Sequence, residues 1–244
     1  MSPCSSEGPA QRWHELMTRL NVGAGATASW WEKISGEYNS TGRHYHTLHH
    51  ICELLQLADE HAALIEDMDA VQLAIFFHDV VYDARRGGGG KNERQSAECF
   101  RLFFTDACAP DVEREAKVSR WIEATAHHKC EEGESNDGQL FMDFDMAVIG
   151  WPPERYTVYA QQVRAEYSHV PYPIYCRARA AFLLKTAQGG RIFHTEQFAA
   201  LEEPARANAR QEAAELHRHL FGWVAAAIAI MLSLVSYGLL ARVR

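Results

Sequence analysis

Apolar residues along most of the chain recur at steps of three or four, which is the spacing of one face of an α-helix. Residues 11–20 place Trp13 and Leu16 on such a face. Residues 27–38 repeat the pattern with Trp30. Neither segment shows the sustained alternation of apolar and polar residues that is typical of a strand. The pattern therefore predicts an all-α fold.

Histidines begin the third predicted helix, which runs through HYHTLHHICELLQLADEHAALI. His46 and His50 are four residues apart, so we expect them to share a helix face that Leu54 continues. The next segment, AVQLAIFFHDVVYD, is apolar on nearly every side and is expected at the centre of a helical bundle. His78 and Asp79 interrupt this apolar run, and their polar side chains need compensation there.

The second half of the chain continues the helical pattern after a glycine-rich loop. Four successive glycines within residues 85–91 predict a surface loop, after which NERQSAECFRLFF resumes helical periodicity with Glu93 near its start. The helix DVEREAKVSRWIEATAHH has an apolar stripe that projects onto His128. In QLFMDFDMAVIG, Asp143 and Asp145 lie mid-helix among aromatic and methionine residues. Three further helices are predicted over PERYTVYAQQVRAEYSHV, PIYCRARAAFLLKTA and residues 196–219.

The C-terminal segment, residues 221–241, contains no charged residue. At about 1.5 Å per residue, a helix of this length reaches about 30 Å, the thickness of the hydrocarbon core of a bilayer. We therefore expect a transmembrane helix that anchors the protein in a membrane, with the preceding domain in the cytosol. Residues 11–219 would form that single helical domain, and residues 1–10 would be disordered.

Charge and cysteine content narrow the possible partners. The chain has 32 acidic and 24 basic residues, a net charge of −8, and no cluster of basic residues interleaved with aromatic ones. Long nucleic acids are therefore not expected as partners. The six cysteines show neither a Cys-x-x-Cys pair nor a regular spacing. This pattern argues against a thiolate metal site and a disulfide framework, and it predicts reduced thiols.

Histidines and aspartates on four predicted helices are candidates to meet at one divalent metal ion. Asp79 lies in an apolar helix, where a carboxylate needs a cation, a metal ion or several hydrogen-bond donors. Asp143 repeats this situation on another helix. A mixed set of imidazole and carboxylate ligands suits Mn²⁺, Fe²⁺, Co²⁺, Ni²⁺ or Zn²⁺ better than Mg²⁺. The candidate ligands are His46, His50, His78, Asp79, His128, Asp143 and Asp145.

Six strings carry a resemblance to a known family: RHYHTLHHICELL, AIFFHDVVYD, NERQSAECF, IEATAHH, FMDFDMAVIG and VRAEYSHVP. In this order they resemble the HD superfamily of metal-dependent phosphohydrolases, in its subgroup of predicted HD phosphohydrolases of unassigned substrate. The match spans residues 12–217. The resemblance implies a compact all-α HD-domain bundle in which a first histidine, a His-Asp pair and a distal aspartate hold the metal. Carried over, these are His46 or His50, then His78 and Asp79, then Asp143 or Asp145, while His128 resembles a histidine that some members use for a second metal or a substrate phosphate.

The resemblance and the ligand set together predict a metal-dependent phosphohydrolase that acts on a small phosphate ester, such as a nucleotide. In this hypothesis Asp79 steers the attacking water while bound to the metal, and Glu93 acts as a general acid or base. Arg164 and Arg179 are candidates to meet the phosphate. Two alternatives stay open. One is a non-catalytic HD-like module that binds a metal or a nucleotide and is tethered to a membrane, and the other is a di-iron HD-type oxygenase.

Overall fold

The computed structural model describes the backbone of residues 7–85 and 89–241, with side chains within residues 8–85 and 89–223. These described residues contain helices and no strand, as the all-α prediction requires. Short 3₁₀ turns lie at Ala62–Leu64, Ala147–Gly150 and Glu196–Leu201. The α-helices of the described chain are α1 (Glu7–Arg19), α2 (Ala24–Tyr38), α3 (Leu48–Glu60), α4 (Met68–Phe77), α5 (Lys91–Ala107), α6 (Val112–Ala124), α7 (Asn136–Met146), α8 (Pro153–Glu166), α9 (Tyr172–Gln188) and α10 (Glu202–Ala241).

Helix α4 lies at the centre of the main core, as its all-round apolar sequence predicts. Its last eight residues are all buried. The ring of Trp13 on α1 meets Phe76 edge-on, with centroids 5.3 Å apart, and also contacts Phe77 and Phe103. Trp30 on α2 completes this aromatic cluster through contacts with Phe77 and Phe103. Large rings packed in this way hold the C-terminal end of α4 in a fixed place within the bundle.

Helix α4 ends immediately before His78, whereas the sequence predicted that it continues through residue 83. The Nδ1 atom of His78 donates a hydrogen bond of 2.9 Å to the carbonyl oxygen of Ile75, which the backbone N–H of Asp79 would use in a continued helix. Arg43 donates to the carbonyl oxygens of Asp79 and Val80 at 2.7 and 2.8 Å. These contacts turn the chain, so the His-Asp pair lies at a helix end.

The start of α3 also differs from the prediction. Thr47 is its N-cap, and the Thr47 hydroxyl accepts a hydrogen bond from the backbone N–H of His49. His46 therefore precedes the helix, while His50 lies in its first turn. The expected shared helix face of His46 and His50 is wrong, because a threonine at the capping position starts the helix after His46.

The predicted helix over residues 92–104 is confirmed within α5, and Glu93 lies in its first turn. Residues 86–88 of the preceding glycine-rich loop lie outside the described residues. Helix α6 stops at Ala124, so His128 lies in the turn that follows, with a left-handed φ of 47°. Asp145 lies in the last turn of α7. These histidine and aspartate positions are therefore helix ends and turns.

Helices α9 and α10 form a pair with its own small core. Ala180 on α9 and Ala209 and Ala213 on α10 are buried in this core, and their small side chains let the two helices approach closely. On the same pair, Arg179 of α9 donates to a carboxylate oxygen of Glu212 of α10 at 3.0 Å. This ion pair links α9 to α10.

The prediction of a transmembrane helix over residues 221–241 is wrong. These residues form the C-terminal part of α10, a single helix of 40 residues that begins at Glu202 and whose N-terminal half packs against α9. Within the part of the chain that the structure describes, no helix has both the length and the apolar character needed to cross a membrane. This finding also removes the basis for the expected contact of residues 221–241 with a membrane and for the membrane-anchored localisation.

Two smaller expectations also change. Residues 7–10, predicted to be disordered, are the first turn of α1, while residues 1–6 lie outside the described residues. Cys52 is disulfide-bonded, so the prediction of reduced thiols is wrong for this residue. The prediction agrees with the free thiols of the described cysteines Cys99, Cys108, Cys130 and Cys176.

Candidate metal centre

Side chains from three helices converge at one point beside the main core. His50 comes from the first turn of α3, His78 from the C-terminal end of α4, and Asp145 from the last turn of α7. Each offers one ligand atom, and these atoms all lie within 4.8 Å of one another. Both histidines are only 1% exposed. This buried group of His50, His78 and Asp145 could hold a metal ion.

The distances within the group suit a shared metal ion. The Nε2 atom of His50 lies 3.3 Å from Nε2 of His78 and 3.1 Å from Oδ1 of Asp145. The Nε2 atom of His78 lies 3.6 Å from the same carboxylate oxygen. Ligand atoms that each lie about 2.1 Å from one metal ion are about 3.0 to 3.4 Å from each other at octahedral or tetrahedral angles.

The hydrogen bond of His78 to Ile75 determines which ring nitrogen faces the group. Because a carbonyl oxygen only accepts hydrogen bonds, Nδ1 of His78 carries the hydrogen, and in the neutral imidazole the lone pair is on Nε2. That lone pair faces Nε2 of His50. Two nitrogens at this separation need a proton or another cation between them, and a backbone hydrogen bond on the far side of the ring is the usual arrangement of a metal-binding histidine.

The charges within the group reinforce each other. Burial alone would lower the pKa of His78, but the carboxylates of Asp79 and Asp145 raise it well above the ordinary value of an imidazole. Burial alone would raise the pKa of Asp145, but His78, His128 and His50 hold it well below its usual range. The surroundings therefore favour a cation among these side chains.

Asp79 adjoins this group and lines a cavity of about 160 Å³ next to it. Its Oδ2 atom lies 3.2 Å from Nε2 of His78 and 3.7 Å from Nε2 of His46. Burial would raise the pKa of Asp79, but the attraction of His78 and then of His46 holds it below its usual range. Asp79 and His46 thus adjoin the group and line the cavity together with Asp145.

Glu166 fixes His46 and was not singled out from the sequence. Its Oε1 atom accepts the backbone N–H groups of His44, Tyr45 and His46 at 2.8, 2.8 and 3.0 Å. Its Oε2 atom accepts from Nδ1 of His46 at 2.7 Å and from the hydroxyl of Tyr82 at 2.9 Å. Burial opposes the charge, but the bond from His46 and the backbone donors bring the pKa of Glu166 to about 2. The signal in the sequence that could have identified Glu166 is its position three residues after Val163, which places both residues on the buried face of α8.

His128 contacts the group from the side of Asp145. Its Nε2 atom lies 2.8 Å from Oδ2 of Asp145, the carboxylate oxygen that does not contact His50. The described group of mutually close ligand atoms does not include His128. His128 therefore orients the carboxylate of Asp145 from outside the three converging atoms.

The structure places Asp143 away from the converging atoms. Its two carboxylate oxygens accept the backbone N–H groups of His194 and Thr195 at 2.7 and 2.8 Å, and the hydroxyl of Thr195 adds a third bond at 2.6 Å. Burial raises the pKa of Asp143 despite these bonds. Asp143 therefore joins α7 to the segment before α10, and of the two aspartates left open by the sequence, Asp145 is the one beside His50 and His78.

The other residues to which the sequence assigned a function, Glu93, Arg164 and Arg179, differ in whether they line the cavity. Glu93 lines the cavity, and its Oε2 atom is buried without a hydrogen-bond partner among the described residues. Arg179 lines the same cavity while bound to Glu212. Arg164 donates to the carbonyl oxygens of Tyr167 and Val170 and does not line this cavity.

Comparisons with protein-family models, with curated proteins and with solved structures find no match to this chain. The HD-superfamily assignment therefore stays a prediction from the six sequence strings. The geometry supports a more general statement: His50, His78 and Asp145 form a buried group whose donor atoms and spacing could hold a metal ion.

Proposed function

We propose that this chain is a metal-dependent phosphohydrolase that acts on a small phosphate ester. One observation carries the proposal: two imidazole nitrogens and a carboxylate oxygen lie 3.1 to 3.6 Å apart beside a cavity. His50, His78 and Asp145 would hold the metal, with Asp79 adjoining them. A divalent cation bound there would lower the pKa of water towards neutrality and neutralise charge on phosphoryl oxygens.

The residues around the cavity supply directed proton transfer. Burial would lower the pKa of His46, but Asp79 and Glu166 raise it above its ordinary value. Its Nδ1 atom donates to Glu166, so Nε2, beside Asp79, is the ring nitrogen that gains and loses the proton. His46 can therefore accept a proton from the attacking water at Nε2 and return it to the leaving oxygen of the ester. Asp79 accepts a hydrogen bond from the same water and directs it, while Glu93 has a free carboxylate oxygen at the cavity wall.

Arg179 is the candidate contact for the phosphate in a cavity that Asp79, Glu93 and Asp145 also line, so a bound cation would be needed to offset these carboxylates. Among the described residues that line the cavity, it is the one arginine or lysine. Glu212 holds its guanidinium in a fixed orientation through bonds of 3.0 and 3.2 Å. A guanidinium placed in this way can donate its remaining N–H groups to a phosphate.

The test combines metal analysis with a phosphatase screen. The full chain is loaded with Mn²⁺ or Co²⁺, its metal content is measured by elemental analysis, and a panel of phosphate esters is assayed. We expect about one metal per chain and turnover of at least one ester. The variant His50→Ala removes a proposed ligand, whereas His49→Ala changes the neighbouring histidine, whose side chain is 61% exposed.

The two variants separate the outcomes. His50→Ala should lose the metal and the activity, and His49→Ala should keep both. Retention of stoichiometric metal in His50→Ala would remove the proposed site. Metal uptake without turnover of any ester would favour a non-catalytic metal-binding module. Two irons per chain with consumption of oxygen would favour an oxygenase.

A further inference from the structure

The cavity beside the metal group is small for a whole substrate. Its volume is about 160 Å³. Pockets that enclose a complete drug-sized ligand measure about 300 to 1,000 Å³. A phosphate ester whose phosphoryl group lies at the metal group can therefore place only part of its organic group inside the cavity. The rest of the organic group lies at the opening, so the residues at the opening help to determine which ester fits.

The lining of this cavity has two chemically different parts. The imidazoles and carboxylates described above form the first part. The remaining lining residues are uncharged apart from Arg179, and most of them are apolar or aromatic. They include Met146, Val148, Ile149, Phe182, Leu183 and Thr186. A second charged group on the substrate would find no partner there except Arg179, so this part of the lining favours an uncharged organic group.

Phe182 on α9 is the one exposed residue among the described residues that line the cavity. Its side chain is 53% exposed, whereas that of the neighbouring Leu183 is 1% exposed. The ring of Phe182 thus lies at the opening and is accessible to a ligand. Contact with an apolar group would remove exposed aromatic surface from water, which stabilises the complex.

Arg179 connects the opening to the position of the phosphate. Its guanidinium carbon lies 5.6 Å from the ring centre of Phe182 and 5.5 Å from that of Tyr159. Glu212 fixes the guanidinium through a hydrogen bond of 3.0 Å. A phosphate that Arg179 binds therefore has its ester oxygen near the ring of Phe182. An aromatic group on that oxygen can stack on this ring or meet it edge-on.

We propose that Phe182 determines substrate specificity by packing against the organic group of a phosphate monoester, so that aryl phosphates are preferred over sugar phosphates. This inference rests on the proposed phosphohydrolase function. In the reaction, the oxygen of one water molecule bonds to phosphorus and the bond between phosphorus and the ester oxygen breaks. The proton from the water goes to the leaving oxygen, so the products are inorganic phosphate and a phenol.

The test uses phosphonates, whose carbon–phosphorus bond this reaction does not break, so that binding is measured without turnover. Calorimetry measures the Kd of phenylphosphonate and of methylphosphonate for the full chain loaded with Mn²⁺. The variant Phe182→Ala removes the exposed ring. The matched control is Ile174→Ala, which removes an apolar side chain that is 60% exposed on the same helix and does not line the cavity.

We expect the wild-type chain to bind phenylphosphonate about tenfold more tightly than methylphosphonate. Phe182→Ala should lose this preference while its Kd for methylphosphonate stays unchanged, and Ile174→Ala should keep the preference. The ratio of kcat/KM for phenyl phosphate to that for glycerol phosphate should fall in Phe182→Ala alone. Equal affinity of the loaded wild-type chain for both phosphonates, or an unchanged preference in Phe182→Ala, overturns the inference.

Metal analysis separates failure of this inference from failure of the proposed function. A wild-type chain that takes up no metal removes both. Metal uptake and ester turnover without a preference for the phenyl group overturn the role of Phe182 and leave the hydrolase standing. A phenyl preference that Phe182→Ala loses, without turnover of any ester, supports recognition by Phe182 and overturns the hydrolase function.

Discussion

Asp143 and Asp145 are two residues apart on α7 and have different surroundings. Side chains two residues apart on a helix point in directions that differ by about 200°, so the two carboxylates lie on different sides of α7. Asp145 faces His50 and His128, and Asp143 faces the backbone of His194 and Thr195. A candidate metal ligand and a structural carboxylate thus lie two residues apart on one helix.

Because their surroundings differ, replacing each aspartate by asparagine should affect metal binding in one case and stability in the other. Asp145→Asn should lose metal binding and keep most of the stability. Asp143→Asn should keep the metal and lower the free energy of unfolding by about 1 to 3 kcal/mol, because an amide cannot accept all the bonds that Asp143 accepts. Elemental analysis and thermal denaturation of both variants measure the two effects. Loss of metal from folded Asp143→Asn would contradict this assignment.

Glu134 connects stability to pH at a distance from the metal group. It accepts hydrogen bonds from Arg120 and Trp121 and from the backbone N–H of Ser135, and its side chain is 5% exposed. Burial alone would raise the pKa of Glu134, but the bonds from Arg120, Trp121 and Ser135 lower it from 4.5 to about 2. The folded state therefore prefers the ionised carboxylate.

A lowered carboxyl pKa contributes stability that is present above the unfolded value and is lost on acidification. The contribution of Glu134 should therefore be complete above about pH 5 and should disappear as the pH falls from 4.5 to about 2. The variant Glu134→Gln cannot ionise. The difference in melting temperature between the wild-type chain and this variant should be largest near neutral pH and shrink over that window. A difference that is constant from pH 7 to pH 3 would contradict the prediction.

At the scale of the elements, the candidate metal centre is built from the ends of helices. Short turns set where those ends lie, and the 3₁₀ turn Ala147–Gly150 after α7 packs against the turn Glu196–Leu201 before α10. Gly150 permits this approach, because a Cβ atom there would lie only 2.7 Å from Cβ of Leu201 and 3.1 Å from its carbonyl oxygen. The turn after α7 therefore needs a glycine at residue 150.

Two glycine-to-alanine changes should act in opposite directions. Gly150→Ala should lower the free energy of unfolding by about 1 to 3 kcal/mol, since the added methyl would lie only 2.7 Å from Cβ of Leu201. Gly36→Ala should raise it by about 0.5 to 1 kcal/mol, because Gly36 lies within α2 with no atom in reach of an added Cβ. Urea denaturation measures both. A tolerated Gly150→Ala would show that the two turns can separate without cost.

At the scale of the whole molecule, Glu166 connects segments that are about 120 residues apart. The backbone of residues 44–46 and the ring of His46 both depend on this carboxylate at the end of α8. Glu166→Gln replaces one acceptor oxygen by an amide that cannot accept from His46 and Tyr82. The orientation of the cavity-facing nitrogen of His46 should therefore be lost.

We expect Glu166→Gln to lower kcat for the best phosphate ester about 10- to 100-fold with a smaller change in KM, because Glu166 does not line the cavity and would act only through His46. The matched control is Glu53→Gln on α3, where Glu53 pairs with His49 and Arg155 outside the cavity. An equal loss of kcat in both variants would mean that the effect is a general one on the fold.

The sequence by itself determined the helical character of the chain, the central place of α4 and the need to compensate His78 and Asp79. These features follow from the spacing of apolar residues and from the cost of burying a charge, which are local properties. The sequence did not decide between His46 and His50 as the metal ligand. The helix starts at a cap on Thr47, which separates two residues that an uninterrupted helix would place on one face.

Only the tertiary structure decided which side chains meet. Asp145 lies beside His50 and His78, whereas Asp143 accepts a hydrogen bond from the backbone N–H of Thr195. Glu166 contacts His46 from a helix far along the chain. The tertiary structure also corrected the transmembrane prediction for residues 221–241, which continue a helix that begins at Glu202. Contacts between distant segments depend on how helices pack, and the apolar pattern of each helix does not specify its neighbour.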